Sequence, residues 1–371
     1  MTAEAAAHLP VVIVGAGPCG LAAGVALQDA GIPAVLFDKG CIVQSLANYP
    51  VNLTMFSTPE KLVIGGVPFT PAGFRPTRAE TLAYYREVAR RHALHVRQYE
   101  RVVSVERRNG AFVVTTERVS AGPAGGAGLR GPAEERRQRA QSEARAVVIA
   151  TGYFDYPNML GVPGEDLPHV SHRFAEGHTG FGRDVLVVGG GNSAVECAIE
   201  LARCGARVTV VHYEPGFVSH VIKPWVLPDF ERFVADGAIR LRWSTRVRAI
   251  EPGRAMLMPV APVAPAAPGA APASADPAAL DASGAEAVPA DLVYVMTGYT
   301  PRPGLLGDLG VPFDPGTGVP AHDPATMETT VPGVYVAGVL TAGKKANGVF
   351  IENGRGHGAL IAAAIPKAAA P

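Results

Sequence analysis

The sequence predicts an α/β fold with two doubly wound parallel sheets, one domain being inserted into the other. Three observations predict it. A unit of strand, glycine loop, helix and second strand occurs twice, two apolar strands close on Thr-Gly-Tyr, and a last apolar strand near the carboxyl end also meets glycine. Alternation of short apolar strands with helices is typical of parallel sheets whose crossovers are helical.

The composition excludes several classes of protein. The 371 residues are 48% hydrophobic and 18% charged, which suffices for one or two sizeable cores. The 33 basic residues balance the 33 acidic ones, so no overall positive field attracts nucleic acid. No apolar run approaches the roughly 20 residues of a membrane span, the first residues lack a secretory pattern, and four cysteines make no disulfide framework. We expect a cytoplasmic protein that binds neither nucleic acid nor membrane, and we also expect a homo-oligomer.

The first glycine loop, Gly-Ala-Gly-Pro-Cys-Gly at residues 15–20, follows an apolar strand and opens a helix. Gly15 permits the tight turn, Gly17 lets the backbone approach a pyrophosphate, and Gly20 lets the helix pack on the sheet. The unsatisfied amides of the first helical turn favour a phosphate. Asp38 ends the next strand, where a carboxylate accepts hydrogen bonds from ribose hydroxyls. The unit is therefore Rossmann-like and predicts a dinucleotide site.

The same pattern returns at residues 189–194, Gly-Gly-Gly-Asn-Ser-Ala, where two glycines and the alanine take the three roles. The strand after this loop and its helix ends at His212 and not at an acid. An acid there would bind the 2′-hydroxyl of NAD and repel a 2′-phosphate, so its absence favours NADP. His212 and Lys223 are the predicted cationic or hydrogen-bonding partners, although Glu214 lies close by.

Two dinucleotide sites indicate one resident cofactor and one that exchanges. A flavin and a nicotinamide suit this arrangement, since hydride passes between them. The segments Ala-Thr-Gly-Tyr at 150–153 and Met-Thr-Gly-Tyr at 296–299 support it, as does the strand that meets Gly338. A helix predicted from about Asn353 to Ile365 comes after that strand, with its start toward the flavin.

The domain boundaries are set by these units. We predict an FAD-binding domain of residues 1–154 and 297–371, and an NADPH-binding domain of residues 155–296. Two low-complexity segments, residues 120–145 and the Ala/Pro-rich residues 259–289, show neither a strand nor a helix period. We expect both to be solvated loops.

Several motifs resemble the two-domain, FAD- and NAD(P)H-dependent disulfide reductases of the thioredoxin reductase-like group. Within that group the chain resembles the bacillithiol disulfide reductases, through Gly-Pro-Cys-Gly-Leu-Ala-Ala at 17–23, Gly-Val-Pro-Gly-Glu-Asp-Leu-Pro at 161–168 and Phe-Ile-Glu-Asn-Gly at 350–354. The match covers nearly everything outside the two low-complexity segments. It implies an enzyme that takes hydride from NADPH onto FAD and reduces the small-molecule disulfide of bacillithiol.

The resemblance and the two loops together assign residues to each cofactor. The residues expected to hold FAD are Gly15, Gly17, Pro18, Gly20, Asp38, Thr151, Gly152 and Gly338. The residues expected to hold NADPH are Gly189, Gly191, Asn192, Ser193, Ala194, His212 and Lys223. One departure concerns the second set, because Tyr213 stands where relatives often carry arginine.

A paired-thiol relay is absent from the sequence, which has no Cys-x-x-Cys. Cys197 and Cys204 lie about 10 Å apart along a predicted helix, too far for a disulfide. Cys19 lies in a first helical turn, where the dipole favours a thiolate, while a bound pyrophosphate would oppose it, so the sign of its pKa shift is open. Our hypothesis is that Cys19 attacks the substrate disulfide or receives it in a mixed disulfide. The alternative is a small residue tolerated beside glycine.

Three other functions share the paired glycine units. These are a flavin-dependent monooxygenase, a ferredoxin or flavodoxin–NADP reductase, and a non-catalytic flavin redox sensor. No metal site is predicted, since the histidines at 169, 172 and 178 lack a fourth ligand at standard spacing.

Overall fold

The computed structural model of the chain describes residues 8–119, 139–217, 222–260, 285–345 and 348–366. Two compact units make up the chain, which we call the first unit (residues 1–156 and 299–371) and the second unit (residues 157–298). Within the described ranges, no helix is long and apolar enough to cross a membrane.

The strands and helices alternate along the chain. The strands are β1 (Val11–Val14), β2 (Ala34–Phe37), β3 (Val96–Arg97), β4 (Glu100–Arg108), β5 (Ala111–Arg118), β6 (Arg139–Ala144), β7 (Ala146–Ile149), β8 (Val170–Ser171), β9 (Asp184–Val188), β10 (Arg207–Val211), β11 (Ile239–Arg242), β12 (Thr245–Glu251), β13 (Gly253–Pro259), β14 (Glu286–Ala290), β15 (Leu292–Val295) and β16 (Val334–Val336). The α-helices are α1 (Pro18–Asp29), α2 (Gln44–Ala47), α3 (Pro59–Leu62), α4 (Arg78–Arg91), α5 (Asn192–Arg203), α6 (Leu227–Ala235), α7 (Gly304–Asp308), α8 (Ile351–Gly354) and α9 (His357–Ala364).

The first unit is built on a five-stranded parallel sheet in the order β16-β7-β1-β2-β3. Its central strand β1 is Val-Val-Ile-Val and is buried throughout, because both faces of the sheet are covered. Helices α1, α4 and α9 contribute to the core on one face. The antiparallel sheet β4-β5-β6 covers the other face through Phe112 and Val114.

The second unit repeats this architecture. Its parallel sheet has the order β11-β10-β9-β15-β8, and its antiparallel sheet has the order β12-β13-β14. Helices α5 and α6 pack on one face, with Leu201 and Phe230 almost completely buried. The antiparallel sheet packs on the other face through Ala255 and Leu257. The predicted α/β class with two doubly wound sheets is confirmed.

Part of each predicted loop is instead a strand. Residues 139–144 of the segment 120–145 form β6, which pairs with β5, and residues 286–289 of the segment 259–289 belong to β14, which pairs with β13. Both are edge strands. Strand β6 is largely exposed and polar, so it shows no apolar period, and β14 buries only Val288 and Ala290. Pro289 is compatible with such an edge. Residues 120–138 and 261–284 lie outside the described residues.

The carboxyl end of the chain completes the first unit. The predicted single helix from Asn353 to Ile365 is wrong in detail, since it is two helices, α8 and α9, interrupted after Gly354. Helix α9 crosses α1 closely, because a β-carbon added at Gly358 would lie 2.7 Å from the Ala22 carbonyl oxygen. Glycine therefore allows the last helix to dock on the first.

Candidate functional site

The first glycine loop has three distinct local geometries. Gly15 has φ of +109°, and a β-carbon there would collide with the Ala150 carbonyl oxygen. A β-carbon at Gly20 would collide with the Gly15 carbonyl, so that glycine lets the helix approach the loop. A β-carbon at Gly17 would meet nothing within 4 Å. The chain therefore keeps open space above Gly17, where a pyrophosphate fits against the backbone.

Helix α1 presents its amino end to the same space. Gly17 is its N-cap, Pro18 is its first residue, and no side chain caps its amides. Proline suits this position because its missing N–H would have no intrahelical partner. The uncapped amides of the next two residues are donors for an anion.

Asp38 lies at the end of β2, beside the loop. Its Oδ2 accepts from the Ala16 N–H at 2.8 Å and its Oδ1 from the Gly40 N–H at 2.8 Å. Burial raises the pKa of this carboxyl, and the two backbone bonds act in the opposite direction. Each oxygen retains a further lone pair, so the fixed carboxylate can still accept a ribose hydroxyl.

A cleft of about 90 Å³ opens between the ends of these strands. Its lining includes Gly15, Asp38, Lys39, Arg101, Thr151 and Asp155. Lys39 Nζ lies 2.6 Å from Asp155 Oδ2. Gly152, next to the exposed Thr151, has φ of +68° and open space at its α-carbon. Carboxyl ends of parallel strands are the place where α/β sheets bind nucleotides.

The sulfur of Cys19 is enclosed by glycines from the carboxyl end of the chain. A β-carbon at Gly338 would lie 3.0 Å from the Cys19 Sγ, and one at Gly354 would lie 2.9 Å from it. Although the residue as a whole is only partly buried, burial of the thiol raises its pKa to about 12. In the protein without a bound nucleotide, burial therefore favours the neutral thiol.

His357 holds one of these glycines in place. Its Nδ1 accepts from the Gly338 N–H at 3.1 Å, which leaves the proton of the neutral ring on Nε2. Burial, with a smaller contribution from His322, lowers the pKa of His357 and favours this neutral form. Gly338 itself has φ of +74°, a conformation that glycine adopts without strain.

A polar network lies two residues before Gly354. The Glu352 carboxylate accepts from the Ser57 hydroxyl and lies 3.2 Å from Lys61 Nζ. It ties the segment before α3 to α8, and so fixes the short helix that carries Gly354.

The second glycine loop repeats the geometry of the first. Gly189 has φ of +144°, and a β-carbon there would collide with the Met296 carbonyl. Gly191 is the N-cap of α5 and has open space, whereas Ala194 is fully buried. Ser193 is exposed in the first turn. These residues fit a second pyrophosphate.

The two predicted 2′-phosphate partners are both engaged within the protein. His212 is only 7% exposed, and its ring lies so close to Gly190 that a β-carbon there would collide with it. Lys223 donates from Nζ to Glu196 at 2.7 Å and from its backbone N–H to Asn192 Oδ1 at 2.8 Å.

Sequence reasoning missed the contact of Gly354 with the Cys19 sulfur and the bond between Gly338 and His357. The first has no local signal, since more than 300 residues separate Cys19 from Gly354. The second joins residues that are 19 apart, and it depends on how the turn at Gly338 lies against the start of α9. All four cysteines are free, and Cys197 is buried as expected. Among the residues that the structure describes, no group of three or more His, Cys, Asp or Glu side chains is placed to hold a metal ion.

Comparison with known proteins agrees with this geometry. The family model for pyridine nucleotide-disulphide oxidoreductases matches residues 9–365. Bacilliredoxin reductase Bdr of Bacillus subtilis is 40% identical over 360 residues, which are 96% of this chain and 97% of that protein.

Two solved structures are also similar. The bacillithiol disulfide reductase Bdr from Bacillus cereus is 39% identical with a TM-score of 0.83, over 96% of this chain and 98% of that one. Its counterpart from Staphylococcus aureus is 34% identical with a TM-score of 0.80, over 96% and 97%. The expectation of a flavoprotein disulfide reductase that uses FAD and NADPH is confirmed. With its paired glycine loops and a family match along almost its whole length, the chain belongs to the pyridine nucleotide-disulphide oxidoreductases.

Proposed function

We propose that this chain reduces a low-molecular-weight disulfide of the bacillithiol type with electrons from NADPH, and that Cys19 is the thiol that meets the substrate. The position of the Cys19 sulfur carries the proposal. It lies in the first turn of α1, against Gly338 and Gly354. The two similar solved proteins are named bacillithiol disulfide reductases, which supports this substrate class.

The residues of the two units would divide between two cofactors. Gly15, Gly17, Pro18, Gly20, Asp38, Thr151, Gly152 and Gly338 would hold FAD, and Gly189, Gly191, Asn192, Ser193 and Ala194 would hold NADPH. When bound, the flavin supplies two-electron transfer between the nicotinamide and sulfur. The protein contributes uncapped amides, an acceptor at Asp38 and a fixed thiol.

The overall reaction consumes one NADPH, one proton and one disulfide, and yields NADP⁺ and two thiols. In the first step the Cys19 sulfur bonds to one sulfur of the substrate, the substrate S–S bond breaks, and the Cys19 proton leaves with the departing thiol. In the second step two electrons and two protons break the mixed disulfide and restore the Cys19 thiol. No second cysteine is required by this balance.

The raised pKa of Cys19 has a chemical consequence. With a pKa of about 12, the thiol stays protonated at neutral pH. A protonated thiol is a poor nucleophile and is oxidised more slowly than a thiolate. The first step therefore includes loss of the Cys19 proton, which ends on the departing sulfur.

The test compares Cys19→Ala with Cys41→Ala, since Cys41 is likewise partly buried. Turnover is measured anaerobically as NADPH oxidation with bacillithiol disulfide, glutathione disulfide and cystine. We expect Cys19→Ala to retain FAD and oxygen-dependent NADPH oxidation but to lose disulfide turnover about 100-fold or more, a loss typical of a missing nucleophile. Cys41→Ala should be unchanged.

Full disulfide turnover by Cys19→Ala would contradict the role of this thiol. Wild-type protein that hydroxylates a substrate, or that reduces only a ferredoxin or flavodoxin, would instead favour the monooxygenase or the ferredoxin reductase. A flavin that NADPH fails to bleach without oxygen would favour the redox sensor. Homo-oligomer formation and a cytoplasmic location stay predictions from the sequence.

A further inference from the structure

The second unit leaves open which group neutralises the 2′-phosphate that distinguishes NADPH from NADH. A dianionic phosphate at the end of the second strand of a nucleotide-binding unit requires a cation or several donors. The assignment of that cation rests on the proposed function, in which NADPH supplies the electrons.

His212 is unsuited to supply the positive charge. Burial lowers its pKa, an effect that Glu214 only partly opposes. Its Nε2 lies 3.4 Å from Glu214 Oε2, and its ring faces Gly190. His212 is therefore a neutral support beneath the glycine loop.

Lys223 is already paired with a carboxylate of the protein. Its ammonium group lies 2.7 Å from the Glu196 carboxylate of α5, and its side chain is 22% exposed. The backbone bond from Lys223 to Asn192 further fixes this residue to the start of α5. Its charge is already balanced by an acid of the second unit.

Arg246 is the cation that the fold brings to the end of β10. It lies on β12, whose first residue, Thr245, donates from its N–H to the His212 carbonyl at 3.0 Å. The guanidinium carbon of Arg246 lies 5.2 Å from the ring centroid of Tyr213. Within the described part of the chain, no carboxylate lies within salt-bridge distance of Arg246.

Tyr213 provides a platform for this arginine. It directly follows the buried His212 and is 51% exposed. An arginine stacked on an aromatic face is pre-organised, and its planar fork can donate two hydrogen bonds to one phosphate. Tyr213 thus positions a cation from β12 of the antiparallel sheet beside the end of β10.

The charged groups around this platform include one acid. Glu214 lies beside His212 and bonds to the Tyr213 hydroxyl, while Arg242 is paired with Glu286 at 2.9 Å. We propose that Arg246, stacked on Tyr213, binds the 2′-phosphate of NADPH, and that Glu214 limits the preference over NADH. Both residues act on binding of the nucleotide and take no part in bond making.

The test measures affinity and not turnover. Calorimetric titration of the purified flavoprotein with 2′,5′-ADP and with 5′-ADP isolates the contribution of the 2′-phosphate. We expect Arg246→Met to weaken 2′,5′-ADP binding about 10- to 100-fold, the range for a lost charge-assisted contact, and to leave 5′-ADP unchanged. The affinity of Arg246→Lys for 2′,5′-ADP should lie between those of wild type and Arg246→Met, and Glu214→Gln should strengthen 2′,5′-ADP binding a few-fold.

Arg248→Met is the matched control, because it removes the same charge from the same strand at an exposed position. It should leave both affinities within about twofold. Equal losses in Arg246→Met and Arg248→Met would overturn the proposal, as would loss of the 2′,5′-ADP preference in Lys223→Met but not in Arg246→Met. Wild-type protein that binds neither compound would overturn the proposed function itself, and this inference with it.

Discussion

The two glycine loops share a backbone and differ at the end of the next strand. In the first unit, the strand after the helix is followed by Asp38, whose carboxylate is held by two backbone amides. In the second unit, the corresponding strand is followed by His212, which is buried against Gly190. The first residue lines a cleft, whereas the second packs beneath its glycine loop.

The difference extends into the helices. The second residue of α1 is Cys19 and that of α5 is Ser193. The glycines that enclose the Cys19 sulfur come from the far end of the chain, and Ser193 is exposed. The two loops thus share a backbone geometry that fits a phosphate, whereas the second residue of the helix and its surroundings differ between the two units.

The largest expected effect comes from filling the open space at one loop. Gly17 has ordinary extended backbone angles, so Gly17→Val should fold but lose FAD about 100-fold, or about 2.7 kcal/mol of binding free energy, through a clash with the pyrophosphate. The flavin absorbance per chain checks this. Gly191→Val should keep FAD and lose 2′,5′-ADP binding, and a variant that loses both ligands would contradict the independence of the loops.

The enclosure of the thiol gives the next effect. Gly354 is not in a positive-φ conformation, so Gly354→Ala adds only a methyl group, 2.9 Å from the Cys19 sulfur. We expect a loss of about 1–3 kcal/mol in the free energy of unfolding from overpacking. Denaturant unfolding of the double variant with Cys19→Ala should recover about 1 kcal/mol, the coupling of contacting residues. Strictly additive effects would show that the sulfur does not lie there.

These two variants show where sequence reasoning reaches its limit. The roles of Gly15, Gly17 and Gly20 follow from spacing alone, because a turn, a close approach and a helix contact have fixed positions in such a loop. The apolar run of β1 predicts that strand with its observed bounds for the same local reason. The contact of Gly354 with Cys19 depends on how α8 and α9 dock on α1, which no local pattern encodes.

The edge strands and His212 are harder to predict for a different reason. Strand β6 is polar and largely exposed, so it lacks the alternation by which a half-buried strand is detected. The sequence predicts His212 as a cationic or hydrogen-bonding partner of the 2′-phosphate, but its burial and its position beneath Gly190 are tertiary properties. A residue type at a motif position predicts a function only where its side chain reaches the ligand.

The stability of the second unit should decrease in acid because of His212. Burial lowers the pKa of His212 below the ordinary value of 6.5, so its stabilising contribution is complete above that pH and is lost as pH falls through the folded value. Stability should fall below pH 6.5 by at most about 1.4 kcal/mol per pH unit for this proton. Denaturant unfolding of His212→Asn between pH 5 and 8 should show a smaller slope than wild type. The control is His178→Asn, because His178 is exposed. If the free energy of unfolding depended on pH equally in His212→Asn and His178→Asn, the assignment of this proton to His212 would be contradicted.

The smallest effect concerns the ion pair at the first cleft. Lys39 and Asp155 are 40% and 34% exposed, and exposed pairs contribute about 0.2–1 kcal/mol. Lys39→Ala should lower the free energy of unfolding by less than about 1 kcal/mol, and 0.5 M salt should reduce the difference. A loss above about 2 kcal/mol would mean that this pair organises the cleft.

The docking of α9 on α1 has a consequence for biosynthesis. Strand β16 and helix α9 supply part of the core around β1 and α1, so β1 and α1 cannot finish packing until α9 has left the ribosome. The second unit is complete once residue 298 has emerged. The nascent chain therefore carries a complete second unit while the first unit is still incomplete, and the apolar surface of β1 and α1 needs protection until α9 has emerged.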